Sequence, residues 1–266
     1  MRAAVAAVAV ALAATPAQYL QSRQQADGGF AEPGARSTPG LTAWASLALA
    51  ADGGPIGGAL AYLQAHEGEL TSTTDVALAA LAEVALGGDA GELLDRLRPA
   101  ADGSFGQVNA TAWAVFALRE ARRPVPRSTA RFLLAQQRRS GGWSWARGGG
   151  ADSNDTAAAI QALRALGVRG TPIDRGLAYL RRLQNADGGF ELSPGRGSDA
   201  QSTAWAIQAF LAAGRKPGPA AYAYLARLRR ADGSYRYSAR YAATPVWVTS
   251  QVALALAGRS FPLRPV

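Results

Sequence analysis

Residues 202–214 read STAWAIQAFLAAG, a stretch without a single charge. Five other segments share its pattern: LTAWASLALAA from Leu41, TTDVALAALAEVAL from Thr73, ATAWAVFALREA from Ala110, DTAAAIQALRALG from Asp155 and VTSQVALALAG from Val248. Thr42, Thr74, Thr111, Thr156, Thr203 and Thr249 hold the same place in the six copies, 32 to 47 residues apart. Self-similarity at such a period signals a repeat architecture. Each copy is rich in Ala, Leu and Val, and a helix apolar on most of its faces is a buried one.

A second element alternates with the first. It reads AQYLQSRQ from Ala17, ALAYLQAH from Ala59, GELLDRLR from Gly91, TARFLLAQQ from Thr129, RGLAYLRRLQ from Arg175 and AAYAYLARLRR from Ala220. Apolar residues recur at helical spacing and the other face carries Arg, Gln and Asp, so these helices have a solvent side. Thr15-Pro16 and Thr171-Pro172 supply a capping residue followed by proline at the first helical position. A glycine turn with an aromatic closes the second element: ADGGF at Ala26, ADGSF at Ala101, SGGW at Ser140, ADGGF at Ala186 and ADGSY at Ala231. Glycine there ends the helix and the ring returns to the core. The second repeat reads HEGEL from His66 and lacks the motif. The expected fold is all-α: an (α/α)6 toroid, six inner and six outer helices in two concentric rings, formed as one domain by residues 15–266. The nearest competitor for a strand is SYRYSARY from Ser234 to Tyr241.

Composition narrows the chemistry. The 266 residues contain no cysteine and one histidine, His66, so disulfides, thiolate metal sites and histidine pairs are excluded. No metal or other cofactor is expected. Net charge is +9, almost all arginine, with Lys216 the one lysine. The arginines fall in scattered pairs near helix C-terminal ends, where cations favour the helix dipole. Codon bias of a GC-rich bacterium accounts for them, with peripheral contact to an anionic envelope surface as the alternative. No nucleic-acid motif accompanies them. The first residues, MRAAVAAVAVALAATPAQ, combine an early Arg2, an apolar run from Ala3 to Ala14 and small residues at Ala11 and Ala13. That layout predicts a secretory signal peptide over residues 1–14 and an exported product. The alternative is an alanine-rich helix of the fold, for which six complete helix pairs leave no partner. Oligomeric state is left open by the sequence.

Residues 15–266 resemble the terpene-cyclase and prenyltransferase repeat superfamily of squalene cyclase type. The segment Gln184-Asn185-Ala186-Asp187-Gly188-Gly189-Phe190 is similar to that family's glutamine–aromatic motif, and Gln24 to Phe30 and Gln137 to Trp143 match it nearly as well. The resemblance implies that this motif ties neighbouring outer helices together. Class II terpene cyclases carry Asp-x-Asp-Asp-Thr-Ala at the start of an inner helix, and Asp152, Asp155, Thr156 and Ala157 match it. Asn154 stands where the middle aspartate belongs, the residue that in the family protonates the alkene. A carboxamide has no such proton to give. Asp152 and Asp155 also fit a helix cap, since a carboxylate in the first turn favours the dipole. Asp199, four residues before Thr203 as Asp152 is before Thr156, repeats the device.

One mouth of the toroid is therefore expected to carry Asp75, Asn109, Asp152, Asn154, Asp155, Asp199 and Gln201. Trp44, Trp113 and Trp205 share one repeat position and Trp247 sits just before the sixth inner helix. These rings either line a cavity for a small hydrophobic ligand or wedge between the two rings of helices. Gln161 and Gln208 share another position, facing the cavity or each other, because a buried amide needs partners. The sequence thus points to a toroid that holds a small hydrophobic or isoprenoid-like ligand without catalysis. Its alternatives are a class II-like cyclase using Asp152 or Asp155, and a carbohydrate-active toroid with two carboxylates. The expected leader is tested by N-terminal sequencing of protein secreted into the culture medium. Export predicts loss of the first residues, and recovery of Met1 on a cytoplasmic product contradicts it.

Overall fold

A computed structural model describes residues 13–54 and 56–263. The leader expected over residues 1–14 falls outside them except for Ala13 and Ala14. Six inner helices, α2 (Pro39–Asp52), α4 (Thr73–Ala85), α6 (Val108–Glu120), α8 (Ser153–Ala165), α10 (Ala200–Ala212) and α12 (Pro245–Leu256), each pack on the next, and α12 packs on α2. Outside them run α1 (Pro16–Gln21), α3 (Ala59–Ala65), α5 (Gly91–Arg96), α7 (Arg127–Ala135), α9 (Thr171–Arg182) and α11 (Pro219–Leu228). The expected two-ring toroid is the observed fold. Six residues after each repeat threonine stands an alanine, Ala48, Ala80, Ala117, Ala162, Ala209 or Ala255, and all are buried. Side chains this small let helices of a closed ring approach at close-packed density.

The repeated threonine has a specific task. Its hydroxyl accepts the backbone N–H of the turn aromatic: Phe30 to Thr42 at 2.9 Å, Phe105 to Thr111 at 3.0 Å, Trp143 to Thr156, Phe190 to Thr203 and Tyr235 to Thr249 at 2.9 Å each. A buried N–H left unpaired costs roughly 1–3 kcal/mol, so each bond fixes a turn against an inner helix. The second repeat has no turn aromatic to offer Thr74.

The turns also join the outer helices to one another. Gln137 Nε2 donates to Gly141 O within its own turn and to Pro172 O at the start of α9, both at 2.8 Å. Gln24 likewise reaches Gly28 O and Gly57 O. The turn glycine sits in the left-handed region, and a Cβ there would stand 2.4–2.5 Å from the backbone of the next outer helix's start. Gly28 meets Gly58 in this way, Gly141 meets Arg175 and Gly188 meets Ala220. Gly233 meets Thr15 and Arg229 donates to Ala14 O, which closes the outer ring.

A third set of bonds fixes one face of the toroid. The loop before each of three inner helices caps the N-terminus of the helix preceding it. Trp145 O accepts Asn109 N at 3.1 Å, Leu192 O accepts Ser153 N at 2.9 Å and Tyr237 O accepts Ala200 N at 2.7 Å. All three acceptors lie two residues after a turn aromatic. The fourth member of the set is Glu32, two after Phe30, whose carboxylate accepts Val246 N and Trp247 N at 2.9 Å each. This bond closes the inner ring from the first repeat to the sixth with a carboxylate on a helix N-terminus.

Residues 234–241 form no strand, in keeping with the all-α reading; Tyr235 makes only an isolated bridge with Arg229. One detail differs from the sequence reading: β1 (Phe190–Glu191) and β2 (Ser198–Asp199) form a short antiparallel pair within the fifth pre-helix loop. They are too short to show a period-two pattern.

Phe190→Ala empties a fully buried site and is expected to cost about 3–5 kcal/mol. Thr203→Val keeps the shape but orphans the Phe190 N–H, and is expected to cost about 1–3 kcal/mol. Urea midpoints of the purified variants measure both, and indifference to Thr203→Val would remove the threonine from this account.

Candidate functional site

At the N-terminal face Asp152 caps α8, its Oδ1 accepting Asp155 N at 2.8 Å. Asp155 is the buried carboxyl of the pair, 7% exposed. Its Oδ1 accepts from Asn109 Nδ2 at 2.6 Å, a bond between neighbouring inner helices. Burial first, and the Asp152 carboxylate beside it second, push the Asp155 pKa up to about 8. Burial and Asp152 thus favour the protonated form of Asp155, whose carboxyl sits between the Asn109 amide and the Asp152 carboxyl. Asn154, next to it, is half-buried and accepts from Ser153 Oγ at 3.2 Å.

The other mouth candidates spread apart. Asp199 caps α10, taking Ser202 N at 2.7 Å and Ser202 Oγ at 2.8 Å, and burial raises its pKa. Asp75 is exposed, exchanges hydrogen bonds with Ser72, and lines with Pro39, Gly40 and Glu69 a cleft of about 190 Å³. Gln201 is half-buried in the first turn of α10. Trp247 lies inside the first turn of α12 rather than before the helix, because Pro245 starts it. Of the seven mouth residues expected, two hydrogen bonds join Asn109, Asp155 and Asp152; Asp199 caps its own helix α10, and Asp75, in the first turn of α4, is bonded to that helix's cap Ser72.

The axis is aromatic. Trp44, Trp113 and Trp205 come from alternate inner helices α2, α6 and α10 and meet edge to face. Their ring centroids are 5.4, 6.1 and 5.8 Å apart. They do not wedge between inner and outer helices, and at this level they leave no open bore. A fourth ring, Phe261, stands 6.0, 5.6 and 6.0 Å from the three and 5.2 Å from Phe116. It arrives from the segment that follows α12. Gln161 faces this segment, its Oε1 accepting Phe261 N at 2.8 Å, while Glu120 Oε2 accepts Leu263 N at 2.6 Å. Gln251 Oε1 accepts Trp205 Nε1 at 2.8 Å, and the amide nitrogens of Gln251 and Gln208 are buried with no acceptor among the described residues.

The sequence reading missed Phe261, Phe116, Glu120 and Gln251. Gln251 was visible in principle, since it occupies the repeat place of the three tryptophans. Phe116 shares the place of Gln161 and Gln208. Phe261 follows the last repeat and has no counterpart in the others.

Residues 60–263 match the family model of the squalene-hopene cyclase C-terminal domain, which covers most of the chain. The chain belongs to that family. No curated protein matches it. Among solved structures it is similar to the type II terpene cyclase MstE from Scytonema, with a TM-score of 0.70 and 17% identity, covering 91% of this chain and 95% of that one. A variant of the same cyclase in complex with geranylgeranyl dihydroxybenzoate, its substrate, aligns with a TM-score of 0.67 and 14% identity over 91% of this chain and 95% of that one. The ent-copalyl diphosphate synthase of Streptomyces platensis aligns with a TM-score of 0.59 and 21% identity over 83% of this chain. The match spans only 50% of that synthase. A glycosidase variant in complex with glucose shares the fold as well, with a TM-score of 0.62 and 16% identity over 91% of this chain and 94% of that one. At these identities the likeness is one of fold.

The departure at Asn154 from the class II cyclase motif that the sequence resembles has a structural counterpart in Asp155. The carboxyl that remains is buried and bound in a way that weakens it as an acid. Glu83, fully buried at the repeat place of Glu120, is shifted in the same direction, to about 8, by burial and then by nearby Glu67. A carboxyl whose folded pKa lies above its unfolded value binds protons more tightly when folded. Its stabilising contribution is full below about pH 4 and is lost as pH rises through about 8. Asp155→Asn and Glu83→Gln are each expected to recover about 1–3 kcal/mol at pH 8.5 and nothing at pH 4. Thermal melts at the two pH values measure this, and a variant less stable at pH 8.5 contradicts it.

Proposed function

We propose that this protein is a non-cyclising member of its family that holds a small hydrophobic, isoprenoid-like molecule among the aromatic rings of its axis. The observation that carries the first half is the Asn154–Asp155 pair. Protonating a carbon–carbon double bond needs an acid stronger than an ordinary carboxyl, because proton transfer follows the donor's acidity. Asn154 has no acidic proton, and the pKa of Asp155 is raised to about 8, the wrong direction. The ligand half rests on the aromatic axis, which suits an apolar molecule with few polar contacts, and on the prenylated substrate bound by the MstE variant.

Incubation of wild-type protein with squalene and with geranylgeranyl diphosphate, followed by mass spectrometry, tests the reading. Recovery of both substrates unchanged is expected. Cyclic products that vanish in Asp155→Asn would instead make the protein a class II-like cyclase acting through an altered acid site, and sugars released from oligosaccharides would make it a carbohydrate-active toroid. Binding without turnover is read separately, from the emission of Trp44, Trp113 and Trp205, whose edge-to-face stack an axial ligand must disturb.

A further inference from the structure

We infer that the segment after α12, residues 258–263, is the toroid's own occupant of the axial site, and that a neutral apolar ligand binds by displacing it. This rests on the ligand reading above and specifies how the site is regulated. The first observation is topological. After each of the other five inner helices the chain turns outward to start the next outer helix; after α12 it turns inward and sends Phe261 to the axis. The segment therefore fills the ring without belonging to its repeat.

The second observation is how the segment is held. Its ring meets Trp44, Trp113, Trp205 and Phe116 with centroids 5.2–6.0 Å away, the spacing of ordinary aromatic contact. Its backbone is caught at two points, by Gln161 on α8 and Glu120 on α6. Both bonds use main-chain N–H groups. They recognise a chain entering the ring rather than a particular side chain, and a ligand replaces them by freeing the two acceptors to water or to its own hydroxyl.

The third observation is that the wall offers more than the segment uses. Gln208, at the repeat place of Gln161, and Gln251, which holds the Trp205 indole, each bury an amide nitrogen with no acceptor among the described residues. A buried donor without a partner costs free energy that a suitable acceptor recovers. These donors carry no charge and sit among aromatic rings, where an anion would lose its hydration uncompensated, so the acceptor they suit is a neutral oxygen on an apolar body, such as the hydroxyl of a polyprenyl alcohol.

A site occupied by its own chain binds ligand with an affinity reduced by the fraction of time it stands open. Geranylgeraniol is the probe. Its titration into the full chain, followed by tryptophan emission and by hydrogen exchange, is expected to give saturable binding with exchange at Phe261 and Leu263 accelerated at least tenfold. Phe261→Ala is expected to bind at least tenfold tighter than wild type. Gln161→Leu, which removes one backbone anchor at nearly constant volume, gives the same direction should the first variant lose its far-ultraviolet circular dichroism. Saturable binding with Phe261 and Leu263 as protected as before would overturn the displacement and leave the ligand reading standing. Unchanged affinity in the folded variants would overturn it too. No binding by wild type or by either folded variant would sink the ligand reading, and the displacement with it.

Discussion

Everything else in the toroid hangs on one buried hydrogen bond repeated around it, the turn aromatic's N–H to the inner-helix threonine. The bond positions the aromatic ring in the core and holds the glycine turn at the start of the next outer helix. Five repeats make it. A closed ring has no end to fray, and the second repeat, which lacks the bond, is held between two inner helices whose repeats make it. The seam between the sixth repeat and the first is the exception in chemistry rather than in geometry. There Glu32 replaces a carbonyl with a carboxylate, and Gly233 meets Thr15.

That framework leaves the axis to be filled by whatever side chains the inner helices present. Three bulky tryptophans on alternate helices suffice to meet at the centre, because the intervening helices carry Val76, Ala158 and Gln251 at the same place. Alternation of large and small side chains is how a closed ring avoids both overlap and voids. The polar residues of the axis then face a demanding environment. Gln161 and one end of Gln251 are satisfied, and the amide nitrogens of Gln208 and Gln251 are not.

Much of the fold was legible because its signals are periodic. The threonines, the glycine–aromatic turns and the apolar inner helices each recur, and repetition makes a weak local pattern strong. What the sequence hid is what happens once. Phe261 has no repeat partner, so nothing in the pattern assigns it to the axis. The direction in which the repeated tryptophans point was equally hidden, since a helix buried on all sides has no polar face to orient it. The mouth was legible in part: the caps at Asp152 and Asp199 follow from their spacing to the threonines. The contact between Asn109 and Asp155 joins two helices 46 residues apart, and no local rule predicts it.

Burial and a neighbouring carboxylate on Asp155, together with an amide at residue 154, separate this site from an acid that protonates alkenes. The direct measurement is the Asp155 side-chain carboxyl titrated by carbon-13 NMR in the folded protein, assigned by comparison with Asp155→Asn. The account predicts a carboxyl that stays protonated through pH 7 and titrates near 8. A resonance that ionises in the ordinary aspartate range, near pH 4, would contradict it.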